Sequence, residues 1–109
     1  ETLTIQQLKD LMHQFIKAVE SGNHADAGWP NTCYGMSKLG IIAMTNIFAR
    51  QETTIMFNNV DPGYCATDQN KNQGIRPAQR GAVTPFLLAT LPHDQFFTGL
   101  YWFDEQTIE

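Results

Sequence analysis

Residues 54–60, TIMFNNV, constrain the fold more than any other stretch. Ile55, Met56 and Phe57 are apolar in succession, so an extended segment here has no polar face. That is how a short strand buried on both sides reads in a parallel sheet. An aromatic run, FFTGLYWFD at 96–104, supplies a second strand, with Gly99 near its start. Between the two lies a helical pattern. A strand, a helix and a strand in this order suit a right-handed parallel crossover, and the fold class is α/β.

The rest of the chain is mostly helical. Leu8, Leu11, Met12, Phe15, Ile16 and Val19 recur at three and four and build one apolar stripe, which predicts a helix at about 5–20. Thr4 and Gln7 read as its capping box and Gly22 as its stop. Residues 21–32 form a loop in which Trp29 packs the segment down. A second helix runs from about 33 to 50. Gly35 and Gly40 lower its propensity and leave room for another backbone, such as a sheet or a cofactor. DPGY at 61–64 is a turn, and 65–75 is polar and irregular. A third helix spans about 77–91, with Pro77 at its start, Ala82, Val83, Phe86 and Leu87 on its apolar face, and a kink or an early break because Pro85 lies inside it.

Composition narrows the function. The chain has 109 residues, 42% of them hydrophobic and 17% charged, which suits one small domain with a modest core rather than disorder. A net charge of −4 and scattered Lys and Arg argue against nucleic acid as a partner. No run is long enough to span a membrane or to act as a signal peptide. His13, His24 and His93 lack metal-ligand spacing, so no metal site is expected. Cys33 and Cys65 lack CxxC spacing and read as free thiols of a reducing, cytoplasmic compartment.

The chemistry-bearing feature is Tyr34 with Lys38 in NTCYGMSKLG. Residues four apart share a helix face, an ammonium beside a phenol favours phenolate, and such a tyrosine passes a proton to a carbonyl oxygen. By itself a Y-x-x-x-K match leaves open two readings, a catalytic pair and two ordinary surface residues. Its neighbours add to it. YGMSK (Tyr34, Ser37, Lys38) is followed by PGYCATD (Pro62, Gly63, Thr67), RGAVTPFLLATLP (Gly81, Ala82, Pro85) and FFTG (Gly99). This order resembles the C-terminal half of the short-chain dehydrogenase/reductase family. Residues 1–35, with Gly28-Trp29-Pro30 before the tyrosine, resemble the helical insertion of the monomeric carbonyl reductases.

The resemblance implies the C-terminal portion of a Rossmann-type doubly wound parallel sheet, with 1–32 a helical insertion and 33–109 the Tyr/Lys helix, strand, helix and strand. It also implies an oxidoreductase that moves a hydride from NADPH to a ketone, aldehyde or quinone. Tyr34 is then the proton donor. Lys38 favours the Tyr34 phenolate and hydrogen-bonds the nicotinamide ribose. Pro62, Gly63, Cys65 (through its backbone) and Thr67 line the nicotinamide end. Tyr64 is either a wall of the substrate pocket or a half-exposed loop tyrosine. Cys65 and Asp68 are otherwise read as loop neighbours, and Met36, Leu39 and Ile41 as packing residues.

The resemblance further calls for a Gly-rich first βα turn that holds the pyrophosphate, and for a catalytic serine. GNHADAG follows a helix and is not that turn, and the serine's strand precedes the region of resemblance. The expectation is a site incomplete in this polypeptide, with the 54–60 strand left as an open edge. Such a chain needs an N-terminal half or self-associates through that edge. The alternatives are a non-catalytic reductase piece acting as an interaction module, and an unrelated helical module using the Leu8–Val19 stripe.

Overall fold

The computed structural model describes residues 2–108. Helix α1 spans Ile5–Glu20. The Thr4 hydroxyl accepts from the Gln7 N–H at 3.1 Å, and the Gln7 side chain accepts from the Thr4 N–H at 2.9 Å, closing the capping box. The chain leaves α1 through Gly22, whose φ of +72° suits a residue without Cβ. In the loop that follows, the Trp29 ring meets Phe15 edge-on at 5.7 Å, so the tryptophan does pack the loop down.

Helix α2 spans Cys33–Gln51, capped by the Thr32 hydroxyl on the Gly35 N–H at 3.0 Å. It packs on α1, with Phe15 and Met36 buried. Gly40 serves this packing: a Cβ there would stand 3.3 Å from the Met12 sulfur. Its close approach is therefore to a side chain of α1 and not to a sheet backbone.

The first strand differs from expectation. β1 is Asn59–Asp61, three residues at the end of the predicted 54–60 segment, and Ile55 is 54% exposed. The reason lies at Asn58. Its side-chain amide accepts from the Leu100 N–H at 3.2 Å and donates to the Phe97 carbonyl, in positions where a regular strand would use its backbone. Residues 54–56 descend from α2, while the Phe57 carbonyl accepts from the Gly99 N–H at 2.7 Å and its ring packs on Phe48 with centroids 5.5 Å apart.

Of the aromatic run, only β4, Tyr101–Phe103, is strand. It pairs parallel to β1 in the register Asn59↔Tyr101, Val60↔Trp102, Asp61↔Phe103. The intervening segment is not irregular throughout. β2 (Cys65–Ala66) pairs parallel to β3 (Arg76–Pro77), with a 3-10 turn at Asp68–Asn70 between them. The third helix is two, α3 (Ala78–Gly81) and α4 (Val83–Ala89), broken at Ala82. Pro85 has no N–H for the Gly81 carbonyl and its ring clashes there, so the interruption falls a turn before the proline. Val83 and Phe86 are exposed, at 38% and 71%, and the buried residues are Gly81 and Thr84. The expected apolar face is thus rotated.

A further strand, β5 (Gln106–Ile108), pairs antiparallel with β4 and gives the sheet order β1-β4-β5. The hairpin turn is Asp104-Glu105, with φ of 46° and 61°. Two left-handed residues match the right-handed strand twist but are costly without glycine. Two arginines offset the cost. Arg76 grips both Asp104 oxygens at 2.8 and 3.1 Å, and Arg80 grips both Glu105 oxygens at 3.0 Å. The Glu105 N–H also donates to the buried Thr84 hydroxyl at 3.0 Å.

The molecule is open. It exposes 7989 Å2, against about 6,100 Å2 for a monomer of this mass. Among the described residues, the β1 edge away from β4 has no strand partner.

The hairpin clamp gives an acid signature. Hydrogen bonding to Arg76, then its charge, holds the Asp104 carboxyl below the usual range. The unfolded chain therefore binds that proton first. The stabilisation is complete above about pH 4 and is lost as pH falls through the lower, folded-state value. Thermal melts of Asp104→Asn are expected to fall less steeply below pH 4 than those of the wild type.

Candidate active site

Tyr34 and Lys38 lie on the exposed face of the first turns of α2. Tyr34 is 67% exposed, and the Lys38 ammonium sits 5.5 Å from its ring centroid, within cation–π range. Ser37 faces its own helix, its hydroxyl donating to the Tyr34 carbonyl at 2.8 Å.

Opposite stands the loop that leaves the C-terminal end of β1. Asp61 starts it: its carboxylate accepts from the Gly63 N–H at 2.8 Å, and Gly63 takes φ of +77°. The Cys65 N–H donates to the Gly63 carbonyl at 3.0 Å, and the Cys65 carbonyl accepts from the Asn70 amide at 2.7 Å. Both backbone groups of Cys65 are thus used inside the loop. Its thiol donates to the Pro62 carbonyl at 3.2 Å and faces α3, where a Cβ on Gly81 would stand 2.4 Å away. The Asn70 side chain also accepts from the Thr67 N–H at 3.1 Å. Tyr64 is 53% exposed, and its carbonyl accepts from the Ile75 N–H at 2.9 Å.

Tyr34, Pro62, Gly63, Tyr64, Cys65 and Thr67 line one cleft of about 470 Å3, joined there by Gln69 and Asn70. Lys38 lines an adjoining cleft of about 530 Å3 with Tyr34 and Pro62. The fold therefore gathers the residues singled out in the sequence, with Tyr34 and Pro62 on the border. Gln69 shares that border and Asn59, Asp61 and Tyr101 line the second cleft; none of these was picked out. Asp61 had a legible signal, an Asx-type turn before Pro-Gly. Asn70 had none, because its role depends on the loop closing back on Cys65.

An α/β fold with a Tyr-x-x-x-Lys helix facing the loop at a strand's C-terminal end resembles the short-chain dehydrogenases/reductases. It matches the C-terminal portion of a Rossmann-type sheet, preceded by a helical part. Salutaridine reductase from Papaver somniferum superposes with a TM-score of 0.84 at 25% identity, over 92% of this chain and 34% of that one. Within that class, the sequence is similar to NADPH-dependent carbonyl reductases. Carbonyl reductase (NADPH) 3 of Rattus norvegicus is 41% identical over 100 residues, 86% of this chain and 36% of that protein. Carbonyl reductase (NADPH) 1 of the same organism is 37% identical over 108 residues, and the human form 34% over 100. The chain thus spans little more than a third of the length of these relatives. No family model matches it. Among the described residues, no helix is long and apolar enough to cross a membrane, and no group of acidic, His or Cys side chains is placed to hold a metal ion.

The loop's closure depends on Gly74, where an added Cβ would stand 2.0 Å from the Cys65 carbonyl carbon. Backbone lies on the other side, so nothing can yield. Gly74→Ala is expected to cost about 3 kcal/mol, the upper end of the usual overpacking penalty, and urea denaturation reads the loss directly.

Proposed function

We propose that this chain carries the proton-donating wall of an NADPH-dependent carbonyl reductase site. The observation that supports it is the single cleft shared by Tyr34 and the Pro62–Thr67 loop. Ligands of open α/β sheets bind outside the carboxyl ends of the strands, and this cleft opens there, beyond Asp61. In this reading residues 1–32 are a helical insertion and 33–109 the remainder of one partial domain.

The residues present fit the nicotinamide end of the cofactor. Gly63 leaves room behind the loop for the Arg76 guanidinium, and Thr67 and Gln69 offer polar groups to a carboxamide. When bound, NADPH supplies the hydride. The protein's part is to orient the carbonyl and deliver the proton. Tyr34 gives its phenolic proton to the carbonyl oxygen as negative charge develops there. Lys38 favours the phenolate left behind and donates to the ribose hydroxyls. Tyr64, on the loop's outer side, limits the substrate's position. The substrate is a small ketone, aldehyde or quinone, and the setting a reducing, cytoplasmic one.

A second reading is an interaction module of the same family without turnover. The free edge of β1 and the excess exposed surface favour it: another polypeptide, or a second copy, would cover both. One set of measurements separates the two. Carbonyl-dependent NADPH oxidation is followed for the chain alone and with an added N-terminal half of a related reductase, and calorimetry follows NADPH binding by the chain. Tyr34→Phe is expected to slow any turnover by about 10²–10⁴-fold while leaving NADPH affinity near the wild-type value. Undiminished turnover in Tyr34→Phe would contradict the assigned proton donor. Micromolar NADPH binding by the isolated chain would exclude the purely structural module.

A further inference from the structure

Arg76 touches the two points at which the neighbouring parallel strands end. β1 gives way to Pro62, whose carbonyl accepts from the Arg76 guanidinium at 3.2 Å. β4 gives way to Asp104, whose two carboxylate oxygens accept from the same guanidinium at 2.8 and 3.1 Å. Its central carbon also lies 5.3 Å from the Phe103 ring centroid. Gly63 is shaped to admit it, since a Cβ there would stand 2.8 Å from the guanidinium carbon. The Arg76 backbone takes part as well, its N–H donating to the Tyr64 carbonyl at 3.2 Å while β3 pairs with β2 at Cys65. A guanidinium is rigid and planar, so a bidentate grip on Asp104 through both terminal nitrogens fixes where its other N–H bonds point. Nη1, which holds one Asp104 oxygen, also donates to the Pro62 carbonyl.

We propose that Arg76 is a positioning residue for the Pro62–Thr67 loop, tying the Pro62 carbonyl to the Asp104 carboxylate and so setting the loop's height over the strand ends. The functional consequence rests on the reading of that loop as the nicotinamide-facing wall. Arg76 does not line the Tyr34 cleft, so its loss weakens nucleotide binding through the loop and leaves proton transfer alone.

Arg80 is a matched control. It grips Glu105 in the same bidentate manner and reaches Asp104 at 3.3 Å, yet among the described residues it makes no hydrogen bond to residues 62–67. Both arginines hold the hairpin; the loop is held by Arg76.

The test uses the full 109-residue chain with Arg76→Ala, Arg76→Lys, Asp104→Asn and Arg80→Ala. Amide exchange at Gly63 and Cys65 is read by nuclear magnetic resonance, and NADPH affinity by calorimetry. Arg76→Ala is expected to speed exchange at both amides about tenfold, the effect of losing one hydrogen bond, and Arg80→Ala to change it less than about twofold. Arg76→Lys keeps the charge but not the fork, and is expected to recover only part of the protection. NADPH affinity is expected to fall in the same order. If Arg80→Ala loosens the loop as much as Arg76→Ala does, Arg76 is a hairpin residue only and the proposal is overturned. Should Arg76→Ala not fold, the comparison of Arg76→Lys with Arg80→Ala decides on the same criterion. A wild-type chain that binds no NADPH would count against the functional reading, while the exchange measurement would still decide whether Arg76 sets the loop.

Discussion

Three residue pairs of parallel ladder, Asn59 to Asp61 against Tyr101 to Phe103, fix where everything else in this molecule can go. Because the strands run the same way, both carboxyl ends emerge on one side. The Pro62 loop and the Asp104-Glu105 turn are therefore neighbours in space, although about 40 residues separate them in sequence. An antiparallel pairing would have put them at opposite ends, beyond the reach of one arginine. Ile47 of α2 is buried at 1% exposure, and Trp102 of β4 at 7%, its ring edge-on to Phe97 at 5.8 Å. Tyr34 reaches the loop because α2 is anchored there by its C-terminal half.

The two ends of α2 do different work. Toward Gln51, Ile47 is buried and Phe48 packs on Phe57, where burial stabilises the fold. Toward Cys33, Tyr34 and Lys38 stand in solvent, held by the Thr32 cap and by α1 packing on the helix's flank. This division suits a reacting pair: the scaffold is rigid where it is covered, and the chemistry-bearing groups remain accessible to a substrate. On the opposite wall, the N–H groups of Gly63, Cys65 and Thr67 and the carbonyls of Gly63, Tyr64, Cys65 and Thr67 are engaged with Asp61, within the loop or with residues 70–76. The loop keeps a definite shape without covering the cleft.

Local signals were legible in the sequence and long-range ones were not. The Thr4–Gln7 box and the apolar stripe gave α1 its bounds, because both are contained within a few residues. Tyr34, Lys38, Pro62, Gly63, Tyr64, Cys65 and Thr67 were recognisable through their order along the chain. The strands are shorter than the apolar runs because the Asn58 side chain bonds Leu100 and Phe97 amid the backbone pairing, and no periodicity signals that. The β5 hairpin was missed because Asp104-Glu105 has no glycine. Its left-handed turn is stabilised by Arg76 and Arg80, 25 and more residues away. The early break expected from Pro85 falls at Ala82, a turn before the ring, where the missing N–H is felt.

In the proposed function, Tyr34, Lys38 and the Pro62–Thr67 loop form one nucleotide-facing site. The most direct measurement is a nuclear magnetic resonance titration of the isotope-labelled chain with NADPH. The expected result is saturable shift changes concentrated at Lys38, Gly63, Tyr64, Cys65 and Thr67, with α1 unmoved. Changes centred on the groove between α1 and α2, or none at millimolar NADPH, would contradict it.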